Sequence, residues 1–290
     1  MRKTSVYLPD ALKRRLAAVA ARTHRSEAEL IRAAVEHLVE GGASPAPVEP
    51  PVPGRLVGVG VGPGGADLLT LRAVQALRRA TTVLAPSTDL SAVGRAEAIV
   101  REAVPDVVVE RMTFAMTPDP DARQAALDAA ADRTVELLDA GEEVAFITLG
   151  DPNLYSTFSS VADGVRCRRP DTTVATVPGI MAFQDLAARS GLVLADDQQT
   201  FVVLPANEAH VSDAGGPVAE LLADPGCTVV LYKGGRRIEA IADRLREADR
   251  MEGATFGELL GMPGERLAPV ADVADRPASY LSAVIAPARR

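Results

Sequence analysis

Residues 54–71 read GRLVGVGVGPGGADLLTL. The first half is an apolar run of strand character, 56–61, which glycines interrupt at Gly58, Gly60 and Gly62. Pro63, Gly64 and Gly65 then make a bend, and a helix-like pattern follows. A glycine-rich bend between a strand and a helix lets backbone come close to a ligand. A dinucleotide fingerprint has a similar outline, but Pro63 has no N–H to offer a pyrophosphate. Glycine alternation inside the strand points instead to a surface pressed against something large and flat. Taken alone, the loop is also compatible with a plain tight turn, so its meaning depends on what lies downstream.

Downstream, helical and strand patterns alternate. Residues 68–80 place Leu69, Ala73, Ala76 and Leu77 at helical spacing, and 81–85 form a short strand ending at Pro86 and Ser87. A helix at 93–101 and a strand at 105–110 follow. A long alanine-rich helix at 121–139 carries Leu127, Ala131, Val135 and Leu138 along one stripe, with Asp119 and Asp121 at its start and Gly141 past its end. Residues 144–149, VAFITL, form a strand with no polar face, as in a covered, mainly parallel sheet. This alternation predicts an α/β fold.

The apolar strand runs straight into Gly150-Asp151-Pro152-Asn153-Leu154-Tyr155-Ser156-Thr157. Ligands of α/β sheets gather beyond the carboxyl ends of strands. Gly150 permits close approach there, and Asp151 can accept from an ammonium or a ribose hydroxyl. Asp-Pro is also an ordinary turn pair. A third strand-end loop comes at 174–184, VATVPGIMAFQ, where Pro178 and Gly179 precede a helix. Beyond it, strands are predicted at 200–205, 228–232 and 280–286, and helices at 217–223 and 238–250, with 266–277 mostly loop. Lys233-Gly234-Gly235-Arg236-Arg237 follows the 228–232 strand. Such a run is either a solvated turn or a basic patch facing an anion, and arginine binds carboxylates bidentately.

Composition narrows the classes. With 290 residues and 47% hydrophobic content, the chain can build two medium domains and a small extra module. Aromatics make up 3%, without tryptophan, so a base-stacking surface is poorly supplied. The net charge of -8 does not suit a polyanion binder over the whole surface. Cys167 and Cys227 make neither a disulfide framework nor a metal site, and His24, His37 and His210 are scattered, so no metal is expected. No apolar leader of signal type and no apolar run of membrane-spanning length occurs, which predicts a cytoplasmic protein.

Residues 1–40 differ in charge, with 8 Lys/Arg against 5 Asp/Glu. Here Thr4, Val6 and Leu8 alternate with Lys3, Ser5 and Tyr7, and Pro9 ends the strand. Leu12, Leu16, Val19 and Ala20 give one helical stripe. Ser26 and Glu29 make a capping box for a second helix with Leu30, Ile31, Ala34, Val35 and Leu38, closed by Gly41. One strand and two helices of this size cannot bury a core alone. A second copy of the strand would supply the missing partner. Residues 43–53 contain five prolines, a semi-extended spacer.

Two resemblances follow. The stretches TSVYLPD and RSEAELIRAAV in residues 1–41 resemble the ribbon-helix-helix family of small dimeric DNA-binding folds. That implies base-edge contacts from Lys3, Ser5 and Tyr7 in duplex DNA, or a module that only dimerises the part behind it. Residues 55–290 resemble the tetrapyrrole methylase family through GVGVGPG, GDPNLYSTF, VPGI and TVVLYKGGR. Together these imply an α/β, two-domain tetrapyrrole methylase fold preceded by a small ribbon-helix-helix module. The implied boundaries are 1–42 for the module, 43–54 for the linker, and 55–171 and 172–290 for the two methylase domains.

The second resemblance implies S-adenosyl-L-methionine as cofactor and a homodimer with no membrane association. It is strongest to the members acting at C20 of precorrin-2 or cobalt-precorrin-2. The implied cofactor contacts are Pro63, Leu149, Gly150, Asp151, Leu154, Met181, Ala182, Lys233 and Thr255. Asp151 and Tyr155 are the implied catalytic positions, and Arg236 and Arg237 the implied partners of substrate carboxylates. The loop departs from the family pattern at Gly65, where an acid is usual, and at Met181, where a hydroxyl is common. Three other readings stay open at this point: a sister tetrapyrrole methylase, a DNA-binding regulator sensing a tetrapyrrole or the cofactor, and, from the glycine loop alone, a nicotinamide dehydrogenase.

Overall fold

The computed structural model describes residues 13, 16–17, 19–20, 25–39, 50–114, 119–211, 215–276 and 278–289. The chain divides into two units, Met1–Val48 and Glu49–Arg290. In the first, helix α1 spans Glu27–Val39. Its start is the expected capping box: the Ser26 N–H donates to Glu29 Oε2 at 2.8 Å and the Glu29 N–H to Ser26 Oγ at 3.2 Å. The Ser26 N–H and hydroxyl, both donating to the Glu29 carboxylate, hold it below its ordinary pKa. Lys3, Ser5 and Tyr7 lie outside the described residues. No described helix is long and apolar enough to cross a membrane.

The second unit holds two five-stranded sheets. The first contains β1 (Arg55–Gly60), β2 (Thr82–Ser87), β3 (Val109–Thr113), β4 (Glu143–Thr148) and β5 (Thr173–Val177) in the order β3-β2-β4-β1-β5. All its pairings are parallel. Side-chain alternation splits the central strands between two cores. Val57, Val59, Ala145 and Ile147 face helices α2 (Leu71–Arg79) and α3 (Arg95–Ala103). Leu56, Val144 and Phe146 face α4 (Pro120–Asp139) and α5 (Thr157–Arg168). Gly58 lies on this second face. A methyl group there would fall 2.5 Å from Cε1 of Phe158. The flat object behind the alternating glycines is thus, at Gly58, the ring of Phe158.

The second sheet contains β6 (Thr200–Pro205), β7 (Cys227–Tyr232), β8 (Thr255–Glu258), β9 (Arg266–Pro269) and β10 (Ser282–Ala286), ordered β6-β7-β10-β8-β9. β6 and β7 run parallel and the other neighbours antiparallel. Helices α6 (Ala182–Ser190), α7 (Glu208–Val211), α8 (Pro217–Ala223) and α9 (Ile238–Glu247) accompany this half. Two readings need correction here. The stretch 266–277, expected to be mostly loop, opens with a strand, since Arg266–Pro269 pairs with Thr255–Glu258, and passes into a 3-10 turn at Val270–Asp272. Both strands have four residues, too few to display a period of two. The expected division at 171/172 cuts the first sheet, since Thr173 to Val177 pair with Arg55 to Val59. The change of sheet falls between Val177 and Thr200.

One buried cation ties the second sheet to its helices. Arg250 is 3% exposed and sits just beyond α9. Its guanidinium donates to the carbonyls of Leu222, Asp224, Cys227, Ala286 and Pro287. These come from the end of α8, the turn into β7 and the end of β10. A planar fork of five N–H donors matches this fan of acceptors, and a lysine ammonium does not. Arg250→Met should therefore lower the unfolding free energy by roughly 3–5 kcal/mol, a buried-network loss. Urea denaturation checks this, and a midpoint equal to that of the native chain would count against the reading.

Candidate active site

Three strand ends meet at one point. A methyl group on Gly60, at the end of β1, would run into the carbonyl of Gly150 and lie 2.6 Å from the N of Gly179. One on Gly179 would collide with the same Gly150 carbonyl. The three loops quoted from the sequence therefore touch through backbone alone. The Gly150 N–H donates to the Gly62 carbonyl at 2.8 Å, an isolated bridge between the first loop and the second. Gly62 and Gly150 have φ of 79° and 67°, the left-handed region that favours glycine.

Asp151 links the second loop to the third. Its Oδ1 accepts from the Asn153 N–H at 2.8 Å and its Oδ2 from the Gly179 N–H at 3.0 Å. Both carboxylate oxygens thus hold backbone in place. This geometry supports an orienting role for Asp151.

A cavity of about 880 Å³ opens at the strand ends, between the two sheets. Pro63, Leu149, Gly150, Leu154, Tyr155, Met181, Ala182, Lys233 and Arg236 line it. Asp151, Thr255 and Arg237 are not among its lining residues. Thr255 begins β8, and the cavity is reached instead by Gly257, Leu259 and Leu260 farther along. Arg237 pairs with Glu208 at 3.6 Å.

Lys233 and Tyr155 close one side of the cavity. Both adopt left-handed backbone, with φ of 61° and 52°. Such strain at non-glycine positions concentrates at functional sites. Lys233 Nζ donates to the Tyr155 carbonyl at 3.2 Å and lies 5.9 Å and 5.6 Å from the ring centres of Tyr155 and Tyr280. The Tyr155 hydroxyl donates to the Val203 carbonyl at 2.9 Å. Tyr155 therefore leaves the first sheet's loop and is fastened to the second sheet. Tyr232 supports the third loop: its hydroxyl accepts from the Phe183 N–H at 3.0 Å, at the start of α6. Burial pushes its phenol well above the ordinary range, so it remains protonated.

The glycine loop also meets the second half. A methyl on Gly64 would collide with the Leu260 carbonyl, and one on Gly261 would fall 2.5 Å from the Gly65 N. The segment 259–265 is held by Glu265, which accepts from the Gly261 N–H at 2.6 Å and from Arg189 Nη1 at 2.7 Å. Arg189, then Gly261, pulls the Glu265 carboxyl down to about 2. Its contribution to stability is complete above the ordinary carboxylate range and is lost as the pH falls through that value. At the departure from the family pattern, the Asp67 carboxylate occupies the space a side chain at Gly65 would enter. Met181, the other departure, packs with its Sδ against Gly150.

The wall is electrically one-sided. Among the described residues, its charged lining residues are Arg123, Lys233 and Arg236, with no Asp or Glu. The whole chain has a net charge of -8, so the cavity opposes the average of its surface. Arg123 and Phe114 are lining residues that sequence reading missed. Neither stands in a motif: Arg123 is one charge within a helix, and Phe114 follows a short strand.

Comparison with known proteins places this geometry. Residues 55–274 match the family model for tetrapyrrole (corrin/porphyrin) methylases, and residues 2–40 the model for ribbon-helix-helix proteins of the copG family. A precorrin-2 C(20)-methyltransferase of Sinorhizobium sp. is 31% identical over 243 residues, covering 81% of this chain and 95% of that protein. A cobalt-precorrin-2 C(20)-methyltransferase of Salmonella typhimurium is 30% identical over 239 residues, covering 80% and 95%. Among solved structures, a cobalt precorrin-4 methyltransferase superposes with a TM-score of 0.61 at 18% identity, covering 81% and 95%.

The brace formed by Asp151 makes a testable claim. Asp151→Ala removes a charged acceptor from two backbone donors, and each such bond is worth about 1.5–3 kcal/mol. Affinity for S-adenosyl-L-methionine should fall by roughly ten- to a hundred-fold while the chain stays folded. Calorimetric titration measures this, and unchanged affinity would show that the brace does not shape the site.

Proposed function

We propose, because this chain belongs to the tetrapyrrole (corrin/porphyrin) methylases, that it methylates precorrin-2 or its cobalt form at C20. Members of the family use S-adenosyl-L-methionine. The observation that carries the substrate class is the one-sided charge of the cavity, with Arg123, Lys233 and Arg236 on the wall and no carboxylate. Precorrin-2 is a reduced tetrapyrrole bearing eight carboxylate side chains. Relatives of 31% and 30% identity that carry the two C(20) names support the position and leave both metal states within the proposal.

The strand-end wall suits the donor. Leu149, Leu154, Met181 and Leu260 present apolar surface around the backbone of Gly150. A side chain at Gly150 would strike the Met181 sulfur, so backbone is what the ligand meets there. Pro63, Leu149, Gly150, Leu154, Met181 and Ala182 would hold the cofactor, and Asp151 would keep their loops together. When bound, S-adenosyl-L-methionine supplies an electrophilic methyl group on a sulfonium. The protein's own share of the chemistry is position and orientation of the two reactants. Lys233 fixes the Tyr155 loop. The Tyr155 ring then stands on the cavity wall as a rigid apolar face with its hydroxyl already engaged. Arg236 offers a bidentate partner to a substrate carboxylate.

The leader has a separate role in this reading. Its match to the copG family over residues 2–40 supports pairing of two chains, with Lys3, Ser5 and Tyr7 as the candidate DNA contacts.

The full chain incubated with S-adenosyl-L-methionine and precorrin-2, with and without cobalt, should add one methyl group to one of the two forms. Product mass detects it and NMR places it at C20. Absence of any gain while the methyl donor is bound would overturn the enzyme reading.

A further inference from the structure

Helix α4 carries a charge that its own fold does not use. Its inward face runs through Leu127, Ala130, Ala131, Thr134, Leu137 and Leu138, at the spacing of one helical stripe. Continued one turn towards the start, that stripe arrives at Arg123. Arg123 lines the cavity together with Ala126 and Leu127. The other charges towards the helix's middle and end are paired. Arg133 holds Glu110 and Glu136, Arg168 holds Asp128 and Asp132, and Arg169 holds Asp139. Arg123 has no ion pair and no side-chain hydrogen bond within the described residues. Nor does the helix gain from it. A cation near a helix start opposes the dipole, which favours the acids Asp119 and Asp121 found there.

Arg123 is exposed and hydrated in the free chain, so a guanidinium on this stripe, near a helix start and on a wall with no acid among its described residues, is open to a ligand from outside the chain. The same cavity wall carries the ring of Phe114 and the hydroxyls of Thr157 and Ser160. An apolar face beside a bidentate donor and two hydroxyls fits the edge of a macrocycle that bears carboxylates. Arg236 stands beyond β7 and belongs to the second sheet's half, whereas Arg123 belongs to the first. We infer that Arg123 is a substrate-anchoring residue, which binds a macrocycle carboxylate from the first sheet's side while Arg236 binds another from the second. The inference rests on the tetrapyrrole reading and adds to it a residue from the first half, so that the ligand is held across both sheets.

The test is a fluorescence titration of the full chain with uroporphyrin III, a stable macrocycle with eight carboxylates. Arg123→Ala should weaken binding by about ten-fold or more, the loss of a charge-assisted bidentate contact, with Arg123→Lys intermediate. Arg78→Ala removes the same charge from an exposed position that does not line the cavity, and should stay within about two-fold of native. Both Arg123 variants should keep native affinity for S-adenosyl-L-methionine. Native uroporphyrin affinity in Arg123→Ala overturns the inference. So does an equal loss in Arg78→Ala, or a matching loss of the methyl donor in both Arg123 variants. Methyl transfer to precorrin-2, assayed separately on the native chain, decides the enzyme reading. A chain that binds uroporphyrin through Arg123 and transfers no methyl keeps the anchor and loses the assigned reaction.

Discussion

The site depends on a steric constraint: the backbones at the ends of β1, β4 and β5 approach until no side chain fits between them. Gly60, Gly150 and Gly179 meet there, and a single methyl group on Gly60 or Gly179 would drive into the Gly150 carbonyl. Parallel pairing brings the three strand ends to one level. Asp151 then fixes the spacing between two of the loops with both carboxylate oxygens. Shape at this point comes from backbone, so it is insensitive to rotamers and can be pre-formed for a ligand. Preorganisation of this kind reduces the ordering that binding would otherwise require.

Much of this was legible in the chain. The alternation of buried strands and helices gave an α/β architecture, and glycine-rich stretches directly after strands located the loops that form the cavity. Gly58 shows how far local reasoning reaches: a missing side chain in a strand implied a flat neighbour, and the neighbour is the Phe158 ring. Less legible were features made by distant partners. Strands Thr255–Glu258 and Arg266–Pro269 exist as strands because they pair with each other and extend a sheet through β10. Their four residues display no usable period. Asp151 was legible as an acid after a buried strand, but the amides its two oxygens serve were not, one of them 28 residues away. Arg123 gave no signal, because pairing of the charges around it is visible only in three dimensions.

Charge is partitioned rather than balanced. The exterior of the methylase part carries many Arg–carboxylate pairs, such as Arg168 with Asp128 and Asp132, and these exposed bridges add little to stability. Their effect is to consume cations on the outside. The described residues of the cavity wall include cations and no carboxylate. Arg250 shows a third use, a buried guanidinium neutralised by carbonyl dipoles instead of an acid. One residue type thus serves as surface filler, ligand partner and internal tie, and the neighbours decide which.

Tyr155 joins the sheets at a single place, with its carbonyl taking Lys233 and its hydroxyl reaching Val203. This makes it a latch on the order of events. If the halves hinged apart to admit a large planar molecule, both hydrogen bonds would break together, along with the stacking of Lys233 on the ring. Any entry that leaves both bonds intact is docking into a standing slot, and any that breaks both is the opening of a jaw.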